Sequence, residues 1–562
     1  MESFLKKGIS MDCTPTVLMQ EKWKHQLRRR KSTWCKKQNI GFSEACSALL
    51  IFLSIPSLGN AQTDPKYLDL TIERFHNGLQ SGEFSCEDVV QAYLERINRL
   101  DRQGYPRQRI NSMLALNPRV IEEAREKDAS FRRNGHFNGS LHCVPFVVKD
   151  AFDVKGFPTT GGSRMLAGTM PKEDSAVVQR LKEAGALILG KTNMTELAAE
   201  VLSWNSWTHR IGNPYNPRRD VGGSSGGSGA AIAADFALMA IGEDTGGSVR
   251  IPSTNTMLVG LRPTTGLISR VGLLPLSISF DTPGPMGRSV KDVAQTLDVL
   301  AAQDPRDPLT MVPEYKRPSS YLDHLSRDGL RGKRIGVVRR FGLVGPVQFS
   351  TESRFNRGNT NDLTQRALDD MRANGAELVD VELPDFSLLP FAAILTEVSE
   401  AMDTYLSGLE DPHISRLIEL NYLKADPRMA PILFGLAVVD QLSRVAPELV
   451  VSRLNQQLLD WKKQVSDYVA SEMDRLNLDV LVYPPVTQTA PRTNNALYFP
   501  LGMELAPITG GPSLVVPTGL SDKTGMPMSL EIHGRHYDEA AVLEVGFAYE
   551  QATHHRIRPD LP

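Results

Sequence analysis

Hydrophobic and polar positions divide the body of the chain into amphipathic helices and short, almost wholly apolar strands. After Ser85, which forms a capping-box pattern with Asp88, apolar residues recur three and four positions apart as far as Leu100 and predict a helix. Residues 144–148 form a continuous apolar run that ends at Lys149, which is typical of a strand buried on both faces. The two periods alternate along the chain, as they do in α/β proteins.

The same alternation continues downstream. A helix predicted over residues 174–184 stops at Gly185 and is followed by another apolar run over residues 186–189. The further predicted elements are helices over residues 361–374 and 449–476 and strands over residues 334–338, 377–381 and 479–483. Neither a repeat of fixed period nor a long linker interrupts this pattern, so we expect one compact α/β domain with a largely buried sheet.

Residues 385–445 carry apolar patches but no distinctive motif. Two such patches are residues 432–434 and residues 436–439. Apolar stripes of this kind either line a pocket or pack in a hydrophobic core. Because most large apolar side chains are buried for packing alone, we favour the core.

Composition excludes several classes of protein. Hydrophobic residues make up 41% of the 562 residues and charged residues 23%, which is ordinary for a soluble globular protein. The formal net charge of −2 argues against a dedicated nucleic-acid binder. The charge is unevenly distributed, since residues 1–44 hold ten Lys/Arg and four Asp/Glu, a net charge of +6.

The basic N-terminal segment resembles a targeting signal. It precedes an uncharged apolar stretch, Ala45 to Leu58, that is short for a membrane span of ~20 residues. Small residues before a cleavage after Ala61 complete a signal-peptide pattern, although the basic region is unusually long. We therefore predict a signal-like segment at 1–61, a globular domain at 62–562 and a secreted or periplasmic location. If the segment is not a signal, the location is cytoplasmic.

Cysteine usage is sparse. The chain has five cysteines, of which only Cys86 and Cys143 lie in the body. Neither has a Cys or His at the spacing of a structural zinc site, so we do not predict one. The sequence does not decide whether the two form a disulfide.

Two short motifs match catalytic patterns without their structural context. Residues 185–192 fit the P-loop pattern, but the residues between the glycines look like a strand instead of a phosphate-binding turn. Residues 222–226 fit the nucleophile elbow of α/β-hydrolases, yet prolines and charges precede them where an apolar strand is required. The elbow also needs a histidine, for which the candidates are His533, His536, His554 and His555.

A larger constellation of Gly/Ser loops is more informative. The loop over residues 222–229 is followed 24 residues after Ser224 by Ser248, with small and apolar residues 230–241 between them. Glycines allow the backbone to approach closely, and successive N–H groups in such a loop can point at one developing negative charge. The two loops are therefore expected to meet at one end of the sheet.

At these residues the sequence resembles the amidase signature family. The signature block covers the Gly/Ser loop, residues 244–252 and Gly260-Leu261-Arg262-Pro263-Thr264. Further family-like elements are residues 145–150, 190–196, 511–517 and 549–553. The resemblance runs from about residue 66 to 556. It implies a single large α/β domain whose mixed, mostly buried sheet is covered by helices on both faces.

The resemblance also implies a Ser–Ser–Lys triad that needs no metal or organic cofactor. Ser248 would be the nucleophile, Ser224 a bridging serine with a cis peptide bond, and Lys149 the general base. The oxyanion-hole N–H groups would come from the loop of the nucleophile: Thr245, Gly246, Gly247 and Ser248. The residues supporting the loops would be Ser225, Asp244 and Arg250.

These residue types suit amide hydrolysis. A serine hydroxyl becomes a good nucleophile when a neighbour takes its proton. A lysine can take it only when neutral, so its ordinary pKa near ~10.4 must fall, and burial acts in that direction. Lys149 would draw the proton through Ser224, free Ser248 to attack the carbonyl and return the proton to the departing nitrogen.

Three positions depart from the family pattern. Glu243 stands where Thr is usual and brings a carboxylate near the catalytic loop. Three interpretations are open: the carboxylate selects the charge of the substrate, it changes the pKa of the lysine, or it faces away from the site. Ala151 replaces a frequent Asn, and residues 255–258 differ from the usual small segment. We expect none of these changes to touch the triad, and we expect them to alter the shape of the pocket. Trp204 and Trp207 are candidate pocket walls, with simple packing as the alternative.

We therefore predict a serine amidohydrolase that converts a carboxylic amide to an acid and ammonia or an amine. The first alternative is a component of a tRNA-dependent amidotransferase, which would act as a glutaminase, and the second is a non-catalytic binding protein that retains the fold. The expected partner is a small-molecule amide, with neither nucleic acid nor a stable membrane span. The sequence does not decide whether the chain forms a homodimer.

Overall fold

The structure is a computed structural model that describes residues 64–102, 109–313, 316–344, 347–350, 359–385, 394–409, 414–420, 422–445, 453–493 and 503–561. These residues form one compact unit. The signal-like segment and the predicted boundary after residue 61 lie outside them and stay predictions. No helix in the described part of the chain has the length and apolar character needed to cross a membrane.

Twelve strands of the described residues form a single mixed sheet. They are β1 Met113–Leu116, β2 Pro145–Lys149, β3 Leu187–Thr192, β4 Met239–Glu243, β5 Val259–Arg262, β6 Pro283–Gly287, β7 Arg334–Val344, β8 Val347–Ser350, β9 Glu377–Asp385, β10 Val480–Tyr483, β11 Ser513–Leu520 and β12 Pro527–His533. Their order is β1-β3-β2-β4-β6-β5-β11-β12-β10-β7-β8, and β9 pairs with β7.

Helices cover both faces of this sheet. They are α1 Ile72–Ser81, α2 Cys86–Leu100, α3 Val120–Asn134, α4 Ala176–Glu183, α5 Gly226–Ala233, α6 Arg250–Asn255, α7 Val290–Leu300, α8 Thr360–Ala373, α9 Ile394–Ser407, α10 Ala430–Val445, α11 Arg453–Arg475, α12 Leu505–Thr509 and α13 Glu539–Thr553. The predicted α/β class and the buried mixed sheet are confirmed.

The local signals in the sequence explain several boundaries. Ser85 and Asp88 form the predicted capping box at the start of α2. Every residue of β2 is buried, as the continuous apolar run predicts. Helix α4 begins two residues later than predicted because Ser175 accepts a hydrogen bond from the Val178 N–H and acts as its N-cap.

The prediction of a buried core over residues 432–439 is wrong in part. These residues lie in α10, where Leu433 and Leu436 are buried. Phe434 is 67% exposed and Val438 43% exposed, because an α-helix turns neighbouring positions toward opposite sides. This part of α10 is therefore amphipathic, with both buried and exposed apolar side chains.

Cys86 and Cys143 form a disulfide that links the start of α2 to the loop before β2. Their Cα atoms are 5.7 Å apart. His142 lies close enough that the three side chains resemble a metal-ligand group. Because the two sulfur atoms are bonded to each other, they are not available as thiolate ligands.

Candidate active site

The neighbouring parallel strands β3, β2 and β4 end at one edge of the sheet, and this edge positions the candidate base. Lys149 is the last residue of β2 and is fully buried. Its Nζ donates hydrogen bonds to Ser224 Oγ at 2.6 Å and to Glu243 Oε2 at 2.6 Å. A third, longer bond of 3.3 Å reaches the main-chain oxygen of Glu243. All three N–H groups of an ammonium are thus satisfied.

The first Gly/Ser loop brings Ser224 onto this lysine. Gly222 adopts a φ of +82°, a left-handed conformation that favours glycine. The peptide bond between Gly223 and Ser224 is cis. A Cβ atom on Gly223 would collide with the Thr195 hydroxyl, so glycine is required for this close approach. The loop then continues into α5, in which every residue is buried.

The second loop carries Ser248 and is tied to the first. The Ser225 N–H donates to the main-chain oxygen of Ser248 at 3.1 Å. The Ser225 hydroxyl lies 3.2 Å from the main-chain oxygen of Glu243. Ser248 remains 5% exposed, whereas Ser224 and Lys149 are fully buried. The structure thus brings the three predicted triad residues to one edge of the sheet, with Ser248 on the solvent side.

Asp244 organises the turn around Ser248. Its carboxylate accepts hydrogen bonds from the N–H groups of Gly247 at 2.7 Å and Val249 at 3.0 Å, and from the Arg250 side chain at 3.1 Å. Burial acts to raise its pKa, but Arg250 and Arg262 outweigh that effect and lower the pKa of Asp244 to about 2. Asp244 is therefore a buried anion that fixes the loop, as expected for a supporting residue.

Arg250 connects the loop of Ser248 to strand β12. Its guanidinium contacts Asp244, the carboxylate of Glu531 on β12 and the main-chain oxygen of Met503. Burial opposes its charge, yet the two carboxylates raise the pKa of Arg250 above its ordinary value. Sequence reasoning missed Glu531 and gave Arg262 no role. The available signal was a carboxylate within the apolar run of β12.

The predicted oxyanion-hole residues are only partly free in this structure. The Gly247 N–H donates to Asp244, so it would have to change partner before it could bind an acyl oxygen. The Thr245 side chain is hydrogen-bonded to two carboxyl groups, those of Glu243 at 2.5 Å and Asp281 at 2.7 Å. Gly246 is the most exposed residue of this turn.

Of the three departures from the family pattern, Glu243 lies within the site. Its Oε2 lies 2.6 Å from Lys149 Nζ, so the prediction that none of the departures touches the triad is wrong. The same contact excludes the interpretation that Glu243 points away. Trp204 and Trp207 are half-buried. The Arg428 guanidinium lies 3.4 Å from the ring centroid of Trp204, which therefore packs against a charged group.

The two rejected motifs are explained by their positions. Lys191 lies inside β3 instead of in a turn that opens a helix, so the P-loop pattern is coincidental. His533 and His536 contact Thr509, and His555 contacts Asp370. Ser224 accepts from Lys149 instead, which is the contact expected of a Ser–Ser–Lys arrangement.

Comparisons with known proteins show the family to which the chain belongs. A family model described as Amidase matches residues 88–543. A glutamyl-tRNA(Gln) amidotransferase subunit from Synechococcus sp. (strain JA-2-3B'a(2-13)) is 34% identical over 510 residues, which is 87% of this chain and 93% of that protein. Its counterpart in Thermoanaerobacter pseudethanolicus is 31% identical, with 87% of this chain and 98% of that protein covered.

Solved structures give the same result. Native peptide amidase from Stenotrophomonas maltophilia superposes with a TM-score of 0.75 at 31% identity, covering 88% of this chain and 99% of that one. The structure of the peptide amidase PAM with chymostatin gives a TM-score of 0.78 at 31% identity, covering 88% and 100%. The chain belongs to the amidase signature family, and it is a hydrolase that acts on the C–N bonds of amides.

Proposed function

We propose that this chain hydrolyses a carboxylic amide through an acyl-enzyme on Ser248, with Ser224 as proton bridge and Lys149 as base. The observation that carries the proposal is the 2.6 Å contact from Lys149 Nζ to Ser224 Oγ, in a loop tied to Ser248. Lys149 and Ser224 are fully buried, whereas Ser248 retains 5% of its surface exposed.

In the first half of the reaction, neutral Lys149 accepts the Ser224 proton while Ser224 accepts the Ser248 proton. Ser248 Oγ attacks the carbonyl carbon, and main-chain N–H groups of residues 245–248 stabilise the oxyanion. The proton then returns along the same path to the nitrogen as the C–N bond breaks. Water repeats the sequence in the second half, releases the acid and regenerates Ser248.

Two substrate classes have support. The names of the sequence relatives favour the amidotransferase interpretation, in which the chain would release ammonia from glutamine for a partner protein. The peptide amidase structures favour an independent amidohydrolase acting on amides such as those of peptides. The relatives therefore support the amidotransferase alternative more directly than the independent hydrolase predicted from the sequence.

A feature of the described residues favours the independent enzyme. The Cys86–Cys143 disulfide is of the kind that persists in oxidising compartments, whereas charged tRNA is intracellular. The signal-like pattern of residues 45–61 points the same way. We therefore propose an exported amidohydrolase, with the glutaminase component of an amidotransferase as second candidate.

Release of ammonia tests these candidates. The purified chain is incubated with glutamine, with C-terminally amidated peptides and with simple aliphatic and aryl amides, and Ser248→Ala is the matched control. An independent amidohydrolase turns over an amidated peptide or simple amide without a partner. Turnover of glutamine alone, increased by a co-purified partner protein, would support the amidotransferase interpretation instead. No turnover by folded protein that retains a reactive Ser248 would argue against both substrate assignments.

A further inference from the structure

Glu243 joins the catalytic lysine to a second buried carboxyl group. Its Oε2 accepts from Lys149 Nζ at 2.6 Å, and its Oε1 lies 2.5 Å from Thr245 Oγ1. The same hydroxyl lies 2.7 Å from Asp281 Oδ1. Strand pairing explains this contact, because Glu243 on β4 lies opposite Pro283 on β6 and the chain just before β6 carries Asp281.

Lys149, Glu243, Thr245 and Asp281 form a row of hydrogen-bonded groups, and the hydrogen atoms available in this row can be counted. A threonine hydroxyl has one hydrogen to donate, so it can donate to only one of two carboxyl groups. Toward the other it must accept, and that carboxyl must then carry a proton. Two ionised carboxylates on one hydroxyl would leave one of these short contacts repulsive. The arrangement around Thr245 therefore holds one proton on Glu243 or Asp281.

The remaining contacts show which group holds it. Glu243 receives Lys149 Nζ–H, and a carboxylate paired with an ammonium is favoured in its ionised form. Asp281 Oδ2 accepts from the N–H groups of Leu276 and Ser277, both at 2.8 Å, which leaves Oδ1 to carry a proton. Asp281 Oδ1–H then donates to Thr245, and Thr245 donates to Glu243.

We propose that Glu243 is a positioning residue that holds Lys149 in its charged form at rest, while Asp281 holds a proton shared across Thr245. The proposal rests on the proposed function, in which Lys149 must be neutral to accept a proton from Ser224. Through this ion pair Glu243 favours the ammonium of Lys149 over its free amine. Its position is one of the three at which this chain departs from the family pattern.

The charges around this row are compatible with that assignment. Burial, followed by the charge of Glu243, raises the pKa of Asp281 well above its ordinary range. The positive charge of Arg262 attracts Glu243 and Asp281, and that of Arg270 attracts Asp281. Glu397 on α9 approaches through Ser277, and Asp244 lies beside Glu243 in sequence. The Lys149 ammonium is the charged group in direct contact with Glu243.

The test is the rate of fluorophosphonate labelling at Ser248 as a function of pH, which requires no knowledge of the substrate. In Glu243→Gln the Lys149 ammonium loses its carboxylate partner. The acid limb of the pH profile should therefore shift to lower pH by one unit or more. Labelling on that limb should then be about tenfold faster relative to the plateau. Glu243→Thr should move the limb in the same direction and covers the case in which the Gln variant fails to fold.

Asp281 is tested by rescue with a conservative variant. Asparagine reproduces the donor and acceptor of a protonated carboxyl, so Asp281→Asn should retain the acid limb of the wild type. Asp281→Leu removes the donor to Thr245 and should shift the limb. Asp150→Asn is the matched control, because it removes a buried carboxylate from Lys191 and should leave the pH midpoint unchanged.

The outcomes separate the proposals. If wild-type Ser248 is not labelled at any pH, the proposed function fails. If Ser248 is labelled but both Glu243 variants keep the wild-type limb, or move it to higher pH, the role of Glu243 is overturned. If Asp281→Asn shifts the limb as far as Glu243→Gln does, Asp281 is ionised and the proton assignment is overturned.

Discussion

Two buried lysines lie side by side in this sheet and differ in what surrounds them. Lys149 ends β2 and Lys191 lies one position before the end of β3, and both are fully buried. Each contacts one carboxylate, one hydroxyl and one main-chain oxygen. For Lys191 these are Asp150 at 2.9 Å, Thr159 at 2.8 Å and Pro158 at 2.9 Å.

The two lysines differ in the hydroxyl group that each contacts and in the residues next to that hydroxyl. Thr159 is fully buried, whereas Ser224 belongs to a loop bonded to the partly exposed Ser248. Burial and an ion pair do not make a lysine catalytic, because both lysines have them. Among the described contacts, only the hydroxyl partner of Lys149 lies in a loop that is bonded to the loop of the candidate nucleophile Ser248.

The largest effect should follow from removing Lys149. Lys149→Met/Glu243→Gln removes the base without leaving an unpaired buried carboxylate, so the protein should fold and lose labelling at Ser248 by about 10²–10⁴-fold or more. Lys191→Met/Asp150→Asn is the matched control and should keep most labelling. Equal losses in both double variants would remove the distinction between the two lysines.

Lys191 should matter for stability instead. Lys191→Met leaves Asp150 as an uncompensated buried charge and should lower the free energy of unfolding by about 3–5 kcal/mol. Adding Asp150→Asn should restore part of that loss. Urea unfolding measures both effects, and the folded fraction should still be labelled at Ser248. A stable Lys191→Met variant with no labelling would contradict the structural role.

The disulfide should contribute stability without affecting the chemistry. Cys86 and Cys143 are 57 residues apart in sequence, and removing such a cross-link typically costs about 2–4 kcal/mol. Cys86→Ser/Cys143→Ser should therefore melt at lower temperature than the oxidised wild type and should be insensitive to reductant. Its labelling at Ser248 below the transition should be unchanged. A wild type whose melting does not respond to reductant would contradict the bond.

The smallest effect should come from Asp281. Because its pKa is raised, the folded protein binds a proton that the unfolded chain has released, so stability falls as pH rises from about 4 through the raised value. Asp281→Asn removes this loss and should be at least about 1 kcal/mol more stable than wild type at pH 8. At pH 3.5 the two should differ little, since Asp281 is then mostly protonated in both the folded and the unfolded state. Urea unfolding at the two pH values checks the sign.

Local patterns in the sequence predict the elements that carry the site. The apolar run before Lys149 and the capping box at Ser85 depend on neighbouring residues, and both are found as predicted. The network around the triad depends on contacts distant in sequence. Glu531 meets Arg250 across 281 positions, and no periodicity indicates that meeting. Phe434 illustrates the same limit, because the solvent-facing side of α10 depends on which helix it packs against.

In the proposed Ser–Ser–Lys relay, Ser248 is the nucleophile. The most direct measurement reacts the full chain with a fluorophosphonate and locates the adduct by peptide mass spectrometry. We expect an adduct on Ser248 that is lost in Lys149→Met/Glu243→Gln and retained in Lys191→Met/Asp150→Asn. An adduct on Ser224, or labelling of Ser248 that survives the loss of Lys149, would contradict it.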